Sequence, residues 1–173
     1  MKTVGNIRRF LFNERLMYRP AMKLFTRKRR KTILENIQKT PAEKARQLYR
    51  SGDNCAQAVL QATCPGVSEE LVEMAKVFGG GIDDSKCLCG AVAGGTMSLS
   101  LQGLGDTASE LVAEFRAQFK TTCCKGLTAR YEWLSKEHIQ SCLELTAETA
   151  DLVARLLETH KKADSLKCRT FCA

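Results

Sequence analysis

Proline is scarce in this chain, with three in 173 residues, and alternating runs rich in Val, Ile and Thr are absent. Half-buried strands are thereby disfavoured, and the balance tilts toward helix. No stretch approaches the roughly 20 apolar residues that a membrane-spanning helix requires. The segment Ile7-Arg8-Arg9-Phe10-Leu11-Phe12 has a superficial likeness to a twin-arginine export signal, but Asn13, Glu14, Arg15, Arg19 and Lys23 interrupt the apolar run such a signal needs. Export is not expected, and the compartment is read as cytoplasmic. Gly79-Gly80-Gly81 is not followed by the Gly-Lys-Ser/Thr of a phosphate loop. Histidine is also rare. His138 and His160 fall on one expected surface helix, where they are read as solvated, so no Ser-His-Asp or Cys-His arrangement is expected and hydrolase chemistry is unsupported. Asp83-Asp84 reads as loop solvation and capping, not as an acid–base pair.

Cysteine is abundant: there are nine. Disulfide scaffolds are usually short, secreted and loop-rich. An odd cysteine count, long helical patterns and the lack of a signal sequence point instead to thiols kept mostly reduced. With 44% hydrophobic residues the chain can bury a core without cross-links, and its length suits one domain.

Charge divides the chain. Residues 1–31 hold eleven Lys/Arg against one acid, Glu14, whereas the remaining 16 basic and 18 acidic side chains nearly cancel. The basic segment also carries Phe10, Leu11, Phe12, Leu16, Met17, Met22, Leu24 and Phe25, with Pro20 dividing it into two short amphipathic pieces. Aromatic and aliphatic anchors among arginines suit an anionic membrane surface or an acidic groove on a partner. No recognised nucleic-acid-binding module accompanies the basic residues, so nucleic acid is not the expected partner. The alternative is a tail whose apolar residues pack on its own domain or on a second copy.

The rest reads as helix after helix. Thr40-Pro41-Ala42-Glu43 forms a capping box with proline in the first turn, opening a helix to Arg50. Asp53 or Asn54 caps a second helix from Cys55 to about Ala62. Ser68 with Glu69 and Glu70 opens a third, which Gly79-Gly80-Gly81 ends. A fourth runs from Cys87–Cys89 to Leu101 and is rich in small residues. Its glycines cost about 1 kcal/mol each relative to alanine, so it is expected to be the most buried helix, with Gly90 and Gly94 admitting a neighbouring backbone. Asp106–Lys120 is a fifth, with Leu111, Phe115 and Phe119 inward. Thr121–Ala129 is a connection. The last helix runs from Lys136 to His160 with Ile139, Leu143, Leu145, Leu152, Leu156 and Leu157 inward. The expected architecture is all-α: a single compact bundle of five to six helices over residues 39–160. A basic amphipathic extension (1–38) precedes it, and a flexible tail (161–173) carrying Cys168 and Cys172 follows.

Chemistry is expected on cysteine. A thiolate is stabilised at a helix N-terminus by unpaired amides and the dipole. Cys55, after Asp53-Asn54, and Cys89, before Gly90, both fall in first turns of separate helices.

Gly52-Asp-Asn-Cys55-Ala-Gln-Ala-Val, Phe78-Gly-Gly-Gly81-Ile, Cys89-Gly-Ala-Val-Ala-Gly94, Cys124-Lys-Gly-Leu127 and Cys142, in that order, resemble the C_GCAxxG_C_C family of redox-active proteins. The resemblance covers about residues 44–157 and implies that Cys55, Cys89, Cys124 and Cys142 are the functional four. Cys123 stands beside the third position. The resemblance also implies a protein partner, an oxidoreductase or a transporter. Two mechanisms fit four cysteines without a CxxC pair. In one, Cys55 and Cys89 cycle between dithiol and disulfide, one attacking and one resolving. In the other, all four ligate an iron–sulfur cluster. Zinc also accepts four thiolates, but its usual paired CxxC spacing is missing. Functions of other classes are a soft-metal binding or trafficking protein and a membrane-surface adaptor with structural cysteines, peripheral at the inner face of the membrane. A homodimer is compatible with the glycine-faced helix and the apolar extension.

Overall fold

In the computed structural model the described residues are 39–171, with side chains described through Lys162. The extension expected over residues 1–38 and the side chains of Cys168 and Cys172 lie outside them. Among the described residues there are seven α-helices and no named strand, an all-α bundle as expected. None of these helices is long and apolar enough to cross a membrane.

Local chemistry sets the first two helices. In α1 (Pro41–Arg50) the Thr40 hydroxyl accepts from the Glu43 amide at 3.2 Å and the Glu43 carboxylate accepts from the Thr40 amide at 2.8 Å. α2 (Cys55–Thr63) starts at Asn54, whose carbonyl oxygen accepts from the Ala56 and Gln57 amides, both at 3.0 Å. α3 (Glu69–Ala75) passes into a 3₁₀ turn at Lys76–Phe78. Ser68 stands at its N-cap but makes no side-chain bond to the backbone there. α4 (Gly90–Leu101) begins after Cys89, which is the N-cap residue and so lies one position before the expected first turn.

α5 (Ala108–Phe119) ends on Lys120 in a left-handed conformation. A seventh helix, α6 (Cys124–Thr128), occupies the segment expected as a connection. α7 (Lys136–Phe171) continues eleven residues past the expected end at His160, because no proline or glycine occurs there to stop it.

α7 is the axis of the bundle, packed by α1, α2, α4 and α5, and α2 lies along α4. Glycine makes that last contact possible: a Cβ at Gly94 would stand 2.9 Å from the Cα of Ala56. Leu60, Leu99, Leu111, Phe115, Val153 and Leu152 are buried, each such side chain stabilising the fold by about 1.5–3 kcal/mol. The glycine-rich helix is not the most buried one: eight of its twelve residues are buried, against seven of nine in α2. α2 is sandwiched, with α1, α4 and α7 all packed against it.

Two readings of α7 need correction. Ile139 is exposed and His138 is buried. At this end His138, Cys142 and Thr146 turn inward beside Leu143, and Ile139 is the member of the expected stripe that is left exposed. Further along, Leu143, Leu152, Leu156 and Leu157 are buried as expected.

Candidate functional site

Two helix starts meet in the bundle. The N-termini of α2 and α4 come together because Gly90 has no side chain. A Cβ there would lie 2.6 Å from the Cys55 sulfur and 2.5 Å from the Phe78 carbonyl oxygen. The Cys55 and Cys89 thiols are thereby paired, each the largest influence on the ionisation of the other.

Cys55 ionises below the usual thiol range. The largest cause is the bond from Cys89, which opposes and outweighs burial. The amides of Cys55, Ala56 and Ala91 add to it, the first turns of α2 and α4 together. Cys89 is driven well above the usual range by donating to Cys55 and by burial. The pair is thus asymmetric, with Cys55 shifted toward the thiolate and Cys89 toward the thiol.

A tight loop delivers the third sulfur. Ile82, Asp83, Asp84 and Lys86 all have positive φ (63°, 46°, 58° and 60°), a conformation costing roughly 1–2 kcal/mol per non-glycine residue. Hydrogen bonds from Asp83 N–H to the Val77 carbonyl (2.7 Å), Lys86 N–H to Gly80 (3.0 Å) and Cys87 N–H to Gly81 (3.1 Å) hold the loop. It lays Cys87–Cys89 antiparallel to Thr122–Cys124, with Cys89 N–H donating to the Thr122 carbonyl (2.8 Å) and Cys124 N–H to the Cys87 carbonyl (2.7 Å). Cys124 is buried while Cys87 and Cys123 are exposed. Of the vicinal pair, Cys124 is the one that faces inward.

Cys142, half-buried on α7, completes the set. Cys55, Cys89, Cys124 and Cys142 all line one cavity of about 330 Å³, closed by Tyr49, Leu127, Trp133, His138 and Leu145 among others. Burial pushes the Cys124 thiol up to about 11 and the Cys142 thiol up to about 12, and the negative charge at Cys55 adds to both shifts. Cys64 lies apart, packed beside the cluster of Ala56, Leu60 and Ala75. A larger groove of about 850 Å³, with Arg130, Tyr131 and Glu137 on its walls, carries no thiol.

The sequence reading missed Tyr49 and His138. The Tyr49 hydroxyl bonds the Cys142 thiol, and its own ionisation is pushed up by burial and by the sulfurs of Cys142 and Cys55. His138 Nε2 stands 3.6 Å from Cys142 Sγ. A Cys–His arrangement therefore exists, contrary to expectation, and His138 is 4% exposed instead of solvated. The available signal was the four-residue spacing of His138 and Cys142 on one helix. His160 is half-buried and pairs with Glu110 at 3.0 Å.

Among the described residues, no three His, Cys, Asp or Glu side chains are grouped so that they could hold a metal ion. The four sulfurs share a cavity but, as arranged, do not fit a cluster or a zinc ion.

Fold and site together define an all-helical protein with four cysteines around one cavity, one of them, Cys55, shifted toward easier ionisation. Residues 53–156 match the model of the family described as "Putative redox-active protein (C_GCAxxG_C_C)", and the chain belongs to that family. The comparisons with curated proteins and with solved structures gave no match.

Proposed function

We propose that the protein exchanges electrons through a dithiol/disulfide couple formed by Cys55 and Cys89. The observation that carries this reading is the pairing of Cys55 and Cys89 at the meeting of two helix N-termini, with Cys55 shifted toward the thiolate. In the reductive direction the Cys55 thiolate attacks a disulfide sulfur of the partner. One partner thiolate leaves, and a mixed disulfide forms. Cys89 then loses its proton and attacks the Cys55 sulfur. The Cys55–Cys89 bond forms, the second partner thiolate leaves, and the pair has passed two electrons to the partner. Gly90 keeps the two sulfurs in reach, and the amides of Ala56 and Ala91 stabilise Cys55 as attacker and as leaving group.

The partner is an oxidoreductase or a transporter with an accessible disulfide or dithiol. Residues 1–31 would hold the domain near an anionic membrane surface. A second reading, in which Cys55, Cys89, Cys124 and Cys142 ligate an iron–sulfur cluster or a soft metal, requires a closer grouping of the four sulfurs than the present one. Protein purified without oxygen distinguishes the two. The dithiol reading expects a colourless protein that, equilibrated with a disulfide buffer, forms one intramolecular disulfide mapping to Cys55 and Cys89. Iron and acid-labile sulfide in comparable amounts, with visible absorbance removed by changing any of the four cysteines, would replace it with the cluster.

A further inference from the structure

The Cys142–His138 pair has the spacing of a nucleophile and its base, but the ring's surroundings assign it another role. Leu134 N–H donates to His138 Nδ1 at 3.2 Å. Nδ1 is therefore an acceptor, and the neutral ring carries its proton on Nε2, the nitrogen facing Cys142 Sγ at 3.6 Å. A nitrogen that already bears a proton cannot take one from a thiol. It can donate to the sulfur.

The turn before α7 is built to keep this tautomer. Leu134 has φ of +64°, a conformation unfavourable for a leucine, and its amide is the donor to Nδ1. Ser135 Oγ accepts from the His138 amide at 3.1 Å, fixing the first turn of the helix. The Trp133 ring lies against the imidazole at 4.5 Å between centroids, and the Lys86 ammonium lies over Trp133 at 4.1 Å. Burial, followed by the Lys86 charge, holds His138 below its ordinary range, which keeps the ring neutral. Tyr49 lines the same cavity as Cys142, and its hydroxyl is the influence that eases ionisation of that sulfur.

We propose that His138 and Tyr49 form a two-donor receptor for the Cys142 sulfur anion, with His138 acting from Nε2–H as a positioning residue and not as a base. This rests on the dithiol reading in one respect, the timing. While Cys55 is a thiolate its charge opposes a second anion in the cavity. Once Cys55 and Cys89 are joined that charge is gone, burial remains the main force against the anion, and the two donors are what offset it.

Two readouts on the full chain test the assignment. The first is the tautomer of His138 in the reduced protein, read by long-range ¹H–¹⁵N NMR and assigned by loss of its signals in His138→Gln. The proton is expected on Nε2; a proton on Nδ1 overturns the proposal whatever the redox chemistry turns out to be. The second is the rate at which iodoacetamide alkylates Cys142 in a Cys55→Ser background, which removes the competing anion. His138→Gln, whose amide N–H₂ can still donate, is expected to stay within about twofold, while His138→Ala slows the reaction about tenfold, as loss of a hydrogen bond to a charged group does. Tyr49→Phe slows it independently. Equal slowing by Gln and Ala would mean a base and sink the proposal, and circular dichroism of each variant separates this from unfolding. Failure of Cys55 and Cys89 to form a disulfide would overturn the proposed function and leave the tautomer result standing.

Discussion

The two sides of the cavity hold the same functional group and treat it oppositely. On one side Cys55 sits where α2 and α4 begin, with the amides of Cys55, Ala56 and Ala91 turned toward its sulfur. On the other, Cys124 opens α6 with its own amide donating to the Cys87 carbonyl and that of Lys125 to the Lys86 carbonyl, and Cys142 is the seventh residue of α7, beyond the amides of its first turn. Both sides are shielded from water, yet only the first shifts a thiol toward the thiolate. Burial alone raises a thiol; burial beside the amides of two helix starts, with a neighbouring thiol as the largest influence, lowers it. The negative charge this creates then suppresses ionisation across the cavity. One anion among four sulfurs gives the site a direction.

The largest break in this asymmetry is Cys55→Ser. It removes the thiolate, and reaction of the cavity with a neutral disulfide at pH 7 should fall by about a hundredfold or more, since the remaining thiols ionise in the alkaline range; stopped-flow thiol–disulfide exchange reads it. Gly90→Ala comes next. Its Cβ would collide with the Cys55 sulfur and the Phe78 carbonyl, with an expected cost of about 1–3 kcal/mol from overpacking. Thermal unfolding should show that loss, and disulfide mapping should show weaker Cys55–Cys89 closure.

A smaller effect is the loss of the α2 cap. Asn54→Ala removes the acceptor for the Ala56 and Gln57 amides and the bond from Asn54 Nδ2 to the Lys76 carbonyl at 2.8 Å. About 1 kcal/mol of stability is expected to go, measured by urea unfolding. The pH dependence of stability sharpens the comparison because the two sides have opposite signs. Cys55 has a lowered folded pKa, so its contribution is present above the unfolded thiol range and is lost as pH falls through the folded value. Cys124 and Cys142 have raised folded values, so their contributions are complete below the unfolded range and are lost as pH rises toward about 11 and about 12. Serine at 124 and 142 together should flatten the alkaline limb only.

What was legible in the sequence was what is decided locally. Thr40-Pro41-Ala42-Glu43 and Asn54 carry their capping chemistry within four residues, and both helices begin where those residues say. The small residues of α4 announced a close approach, and Gly90 and Gly94 make it. What was hidden depends on distant parts of the chain. The left-handed loop around Ile82–Lys86 is stabilised by delivering Cys87–Cys89 to Thr122–Cys124, a pairing across more than thirty residues that no local pattern encodes. Cys89 and Cys124 come to one cavity by that route. His138 was misplaced for a different reason. Apolar periodicity assigned the inward stripe of α7 to Ile139, but the start of that helix faces a thiol cavity, where His138 finds partners in Leu134 and Cys142 and Ile139 is left outside.

The most direct test of the asymmetry is site-resolved alkylation of the fully reduced protein, with a sub-stoichiometric neutral reagent applied between pH 5 and 9 and each cysteine read by peptide mass spectrometry. Cys55 is expected to label first among the four cavity cysteines, and below its ordinary thiol range, while Cys89, Cys124 and Cys142 stay unlabelled until the pH is well into the alkaline range. Labelling of Cys89, Cys124 or Cys142 ahead of Cys55, or of all four together near the ordinary thiol range, would contradict the account.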